Sequence, residues 1–202
     1  MDTELPTNMA PTKKNSFLRE LVSYAIVALV VVVPIRMWIA QPFVVNGSSM
    51  DDTFKDGEYL IVDEISYRFS DPERGDVLIF KYPQDPSKYF IKRLIGLPGE
   101  TVKVTNDKVV IVNSENPNGI TLSEPYAHSR TFGNVTVTLE ANEYFVMGDN
   151  RLVSSDSRIW GPLPKEDLIG RPLIRLLPLS RIDAMPGAVA STTVENRTVN
   201  KN

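Results

Sequence analysis

The chain has 202 residues, a formal net charge of −3, no cysteine and one histidine. That length suits one domain, or one domain with an appendage, and the balanced charge gives no electrostatic case for nucleic acid. A thiol nucleophile, a disulfide framework and a thiolate metal site are excluded, and His128 alone cannot build a histidine-rich metal site.

Residues 1–16 are polar and contain prolines, as expected of a tail. Residues 17–40 read as a membrane anchor. No charge lies between Glu20 and Arg36, and the run includes four consecutive valines. The uncharged core is short for a span of about 20 residues, so Arg36 would snorkel to the far interface and Trp38 would sit among headgroups. Lys13, Lys14 and Arg19 flank the near side, which places the tail in the cytoplasm and the rest outside. A cleaved leader and a buried core helix are the competing readings. The first lacks a small-x-small cleavage site directly after the run, and the second fits Pro34 and the valine run poorly.

After the anchor the texture is that of β-structure. The stretches at residues 58–65, 76–82, 88–96, 134–140, 143–149 and 169–179 are short and rich in β-branched and aromatic residues. "TVKVTNDKVVIV" reads as a hairpin with Asn106-Asp107 at its turn. No later segment holds a 3.6-residue period over three turns, although "PKEDLIG" suits one helical turn. Many short strands at this spacing predict an all-β sandwich or barrel-like domain over residues 41–182. Residues 183–202 turn small and polar and are expected to be a disordered tail.

Four stretches carry candidate chemistry. In "VVNGSSMDDTF", Ser48 and Ser49 sit in a turn of small residues, where a hydroxyl can approach a ligand closely. A serine needs a neighbouring base to act as nucleophile. In "YFIKRLIGLPGE", strand alternation puts Lys92 on one face with Phe90 and Leu94. If that face is buried, desolvation lowers the lysine pKa and frees a neutral amine to act as a base. If it is exposed, Lys92 is an ordinary edge-strand lysine. In "MGDNRLVSSDSRIWGP", Arg151, Asp156 and Arg158 can form a charge cluster beside Ser154, Ser155 and Ser157, or simply a solvated loop. "RGD" at residues 74–76 reads as a turn. A Ser-His-Asp triad would have to use His128, which lies among loop residues.

Taken together and in this order behind an anchor, these four stretches resemble the type I signal peptidases, the membrane-anchored Ser-Lys proteases. The resemblance covers residues 17–179. It implies a mainly β fold, with a single N-terminal transmembrane helix followed by an all-β signal-peptidase-like catalytic domain. It implies Ser49 as nucleophile, Lys92 as general base and Ser154 as the hydroxyl that orients the lysine. Asp156 and Arg158 would support the site. The backbone N–H of Ser49 would serve as one oxyanion donor. Some members place a serine where this chain has Gly47, so the second donor here would be the Ser48 hydroxyl or a water.

A small apolar pocket for Ala-X-Ala-type residues would be lined by Phe43, Val45, Phe54 and Ile91. The implied partners are preprotein signal peptides, the lipid bilayer and the secretion translocon, with no nucleic acid, metal or cofactor. The implied location is the cytoplasmic membrane, with the catalytic domain on its outer side. Two departures stand out: Asp52-Thr53-Phe54 replaces the family's Pro-Thr-Leu, and Leu152-Val153 replaces a small polar stretch. An impaired homologue that binds signal peptides or assists another peptidase is the alternative.

Overall fold

The structure, a computed structural model, describes residues 14–33, 40–105 and 107–189. The expected placements of Arg36, Trp38 and Asn106 lie outside these residues, as do most of the N-terminal tail and residues 190–202. The chain divides into two units at residue 39.

In the first unit, helix α1 (Lys14–Val27) runs into a π-type segment (Ala28–Val32) where the β-branched valines begin. Its apolar side chains, among them Leu21, Ile26, Leu29 and Val30, are exposed. No described helix is long and apolar enough to cross a membrane.

The second unit is mainly β, as the alternating segments predict. Its larger sheet is eight-stranded, with every strand antiparallel to its neighbours. One edge is β1 (Ala40–Val44), followed by β2 (Tyr59–Asp63). The long β11 (Leu168–Leu177) bridges β2 to β3 (Val77–Tyr82). Next come β4 (Asp85–Gly96), β9 (Glu143–Met147) and β10 (Leu163–Pro164), and β12 (Asp183–Ala184) adds to β11. A four-stranded sheet runs in the order β7 (Ile120–Thr121), β6 (Lys108–Val112), β5 (Thr101–Thr105) and β8 (Val135–Thr138). Among its described residues, helix is confined to α2 (Ser157–Trp160) and short 3-10 turns, one of them (Lys165–Asp167) in "PKEDLIG".

Alternation dictates the packing. In β5, Val102 and Val104 point inward while Lys103 is exposed; in β6, Val109 and Ile111 do the same. These residues pack with Ile95, Phe145 and Met147 between the sheets. β4 is buried on both faces from Lys92 to Gly96. Leu94 joins a cluster with Phe80 and Val146, and Ile95 joins the cluster between the sheets. Ile91 packs on a third cluster made of Val45, Met50, Phe54, Leu60 and Val77.

Three expectations need correcting. β1 begins at Ala40, inside the stretch expected to be anchor. Phe54 is no pocket residue: the turn that bonds its N–H to the Met50 carbonyl at 2.8 Å points the ring into the third cluster. The ring is 0% exposed, with the Arg175 guanidinium 5.0 Å above it. Residues 183–189, expected in a disordered tail, return to the domain. The Met185 N–H bonds the Leu173 carbonyl at 2.8 Å, and Val189 packs on the inter-sheet cluster.

Candidate active site

The turn carrying Ser49 follows β1. Gly47 adopts φ +89°, a conformation that disfavours a side chain, and its N–H donates to Asp56 Oδ1 at 2.7 Å. A serine at this position would be strained. Ser48 is exposed and Ser49 is half-buried. Met50 and Phe54 then anchor the turn in the core.

Lys92 reaches Ser49 from β4. Its Nζ lies 2.7 Å from Ser49 Oγ and 2.9 Å from the Ile91 carbonyl, and 5.1 Å from the centre of the Phe90 ring. Lys92 is only 4% exposed. Burial drives its pKa down to about 8, against the opposing pull of Asp156 and Asp149. The acidic pair Asp51-Asp52 is not what opposes it.

The segment after β9 holds the turn in place. Asn150 donates its backbone N–H to the Ser49 carbonyl at 3.0 Å and its side-chain amide to the Ser48 carbonyl at 3.2 Å. Gly148 makes this approach possible, because a Cβ there would stand 2.4 Å from the Ser49 carbonyl oxygen and 2.3 Å from Ser154 Oγ. Asp149 forms a fully buried, two-pronged pair with Arg93, at 2.8 Å from Nε and 2.6 Å from Nη2. It also accepts from the Thr53 hydroxyl at 2.5 Å, tying down the turn beyond Ser49. Breaking one side of such a pair costs about 3–5 kcal/mol.

Ser154 is buried, and among the described residues its hydroxyl makes no hydrogen bond, to Lys92 or otherwise; its nearness to Asp156 falls outside bonding geometry. Asp156 caps α2 and accepts from Arg158 Nε at 2.8 Å and from the Gly148 N–H at 3.1 Å. Burial pushes its carboxyl up, but Arg158 and these hydrogen bonds hold it below the usual carboxylate range. Arg151 does not join this cluster by its side chain; it pairs with Glu124. Arg74, of the "RGD" turn, pairs with Glu100. His128 is exposed and is not among the residues around Ser49.

A cleft of about 620 Å³ opens beside the two side chains. Phe43, Val45, Ile91 and Tyr89 line it with Ser48, Ser49 and Lys92, and Val153 and Ser155 stand at another wall. Phe43 and Tyr89 meet edge-to-face at 5.4 Å. The cleft runs between two strand edges. Among the described residues, β1 pairs only with β2, and β4 pairs with β9 only from Arg93 onward. The Ser49 backbone N–H donates to nothing among the described residues. No acidic or histidine cluster suited to a metal occurs among the described residues.

The family description "Signal peptidase, peptidase S26" matches residues 18–177. The chain belongs to this family. Among curated signal peptidases, it is similar to the probable signal peptidase I-1 of Synechocystis, with 37% identity over 82% of this chain and 85% of that one. It is also similar to signal peptidase I of Leptolyngbya laminosa, with 38% identity over 84% and 85% of the two chains. Signal peptidase I V of Bacillus subtilis is 34% identical over 72% of this chain and 90% of its own.

For this signal peptidase, sequence reasoning missed Asn150, Thr53 and the Arg93–Asp149 pair as parts of the site. An asparagine after Gly-Asp reads as turn chemistry. An arginine beside a lysine on a strand reads as surface until both faces are known to be buried.

Proposed function

We infer that this signal peptidase is a membrane-anchored serine endopeptidase that removes N-terminal signal peptides from secreted preproteins after small residues, using Ser49 and Lys92. One observation carries the reading: the 2.7 Å contact between Ser49 Oγ and a buried Lys92 whose pKa is pushed down to about 8. About a tenth of Lys92 is then neutral at pH 7, far more than for an exposed lysine, and a neutral amine can accept the serine proton.

In the first step Oγ attacks the scissile carbonyl carbon while its proton passes to Nζ. The oxyanion is held by the Ser49 N–H and by a second donor, the Ser48 hydroxyl or a water. The ammonium of Lys92 then protonates the departing amine, leaving an ester on Ser49. A water, deprotonated by Lys92, attacks that ester; Oγ takes back a proton and the peptide acid leaves. Ser154, Asp156 and Arg158 support the lysine side of the site by packing and charge rather than by touching substrate.

The two strand edges flanking the cleft suit an extended chain that pairs with them. Phe43, Val45 and Ile91 form the apolar wall that favours small side chains. The exposed apolar face of α1, with Arg19 in its first half, supports anchoring by a segment that ends before β1, within residues 17–39, with the catalytic unit outside the cytoplasmic membrane. The bilayer and the secretion translocon are the partners this location implies.

Incubating detergent-solubilised protein with a secretory preprotein tests the reading, alongside Ser49→Ala and Lys92→Ala. Cleavage is expected from the wild type alone and is expected to withstand a chelator. Wild type and variants equally inert on several preproteins would defeat the reading. Cleavage by Ser49→Ala would move the nucleophile elsewhere.

A further inference from the structure

Between β7 and β8 the smaller sheet sends out residues 122–134, which contribute nothing to the cleft. They grip the segment after β9 instead. Glu124 takes both arms of the Arg151 guanidinium, with Oε1 2.5 Å from Nη2 and Oε2 3.1 Å from Nη1. Thr131 Oγ1 accepts from Nη1 at 2.8 Å. Ser129 Oγ accepts the Arg151 backbone N–H at 3.0 Å. The Phe132 carbonyl accepts Arg158 Nη1 at 3.0 Å. The Tyr126 ring lies against two arginines, its centre 4.1 Å from the Arg93 guanidinium and 6.0 Å from that of Arg151.

The gripped segment is the one that fixes the reacting pair. Asn150, next to Arg151, holds the carbonyls of Ser48 and Ser49. Arg151 Nε donates to the carbonyl of Gly148, the residue packed against Ser49. Residues 148–156 form no regular ladder, so side chains from outside define their path. The Arg151 side chain is fully buried, and without Glu124 its charge would have to seek water by moving the segment.

We propose that residues 124–132 form a clamp that positions the nucleophile turn through the segment after β9, with Glu124 and Tyr126 as its positioning residues. The proposal rests on the cleavage reading above. A displacement of about 1 Å at the reacting atoms can lower a rate on the order of 10²-fold, without any loss of substrate contact. The clamp touches no part of the cleft, so its loss should act on kcat and leave KM alone.

The full chain carrying Glu124→Gln, Tyr126→Leu, Tyr126→Phe or Ser129→Ala is assayed on a preprotein that the wild type cleaves. Glu124→Gln and Tyr126→Leu are expected to lower kcat roughly 10- to 100-fold with KM within about twofold, after correction for the folded fraction by circular dichroism. Tyr126→Phe keeps the ring against the arginines and is expected to restore most of the rate. Ser129→Ala, a milder cut at the same grip, is expected to lower kcat alone; it decides the matter if Glu124→Gln fails to fold. An active wild type with kcat unchanged in these variants, or with losses that track unfolding or KM, would overturn the clamp. A wild type inert on every preprotein would overturn the cleavage reading, and the clamp with it.

Discussion

At the scale of the residue, an exposed lysine is a poor base because it is almost wholly protonated at neutral pH. Lys92 escapes this through burial under Phe90 and beside Ser49, while Asp149 and Asp156 temper the shift. The two carboxylates do not overwhelm it, because each is engaged by its own arginine, Arg93 or Arg158. Ser48 is exposed at the cleft, with its carbonyl held by Asn150. If the Ser48 hydroxyl is the second oxyanion donor, Ser48→Ala lowers kcat about 10²-fold with little change in KM. Steady-state kinetics on a preprotein check this, and an unchanged kcat would assign the role to a water. Ser49 and Lys92 were singled out by the ordered motifs that resemble the signal peptidases; turn composition and strand alternation alone left a plain loop and an edge-strand lysine equally open. Phe54 was misread because a local turn, invisible to alternation, rotates it inward.

At the scale of the element, β4 brings the site together. One face puts Lys92 beside Phe90 and Leu94, the other puts Arg93 on Asp149. The segment after β9 meets the Ser49 turn by a backbone approach that only glycine permits at residue 148. Gly148→Ala is therefore expected to cost about 1–3 kcal/mol through overpacking and to suppress cleavage. Calorimetry and a preprotein assay check both effects; a variant as stable and active as wild type would contradict the packing described. Most strands were legible from alternation of β-branched residues. β1 was not, because it adjoins the apolar run and contains Pro42, which an edge strand tolerates and a central one would not. Asn150 was hidden for another reason: its partners are backbone carbonyls about a hundred residues away, a pairing no local pattern encodes.

At the scale of the whole molecule, the catalytic unit closes on itself through its last described residues. Arg93 Nη1 donates to the Gly187 carbonyl at 2.8 Å, and Gly187 itself lies against Phe54 and Val77. Their small, polar composition hid this role, since a segment that docks mainly by backbone carbonyls shows no apolar period. Truncation after Ile182 removes an acceptor from a buried arginine and uncovers part of the third cluster. It is expected to lower stability by roughly 2 kcal/mol or more, read as a shift in the urea midpoint. An unmoved midpoint would show that residues 183–189 contribute nothing.

The central claim, that neutral Lys92 is the base for Ser49, is tested most directly by the pH dependence of kcat/KM. Below its pKa Lys92 carries a proton and cannot accept another, so activity should rise with pH as a single ionisation centred near pH 8 and then level off. The run should extend from about pH 6 to about pH 10, with Lys92→Ala at background throughout. A limb centred near the ordinary histidine value of about 6.5, or a profile that Lys92→Ala leaves in place, would contradict the account.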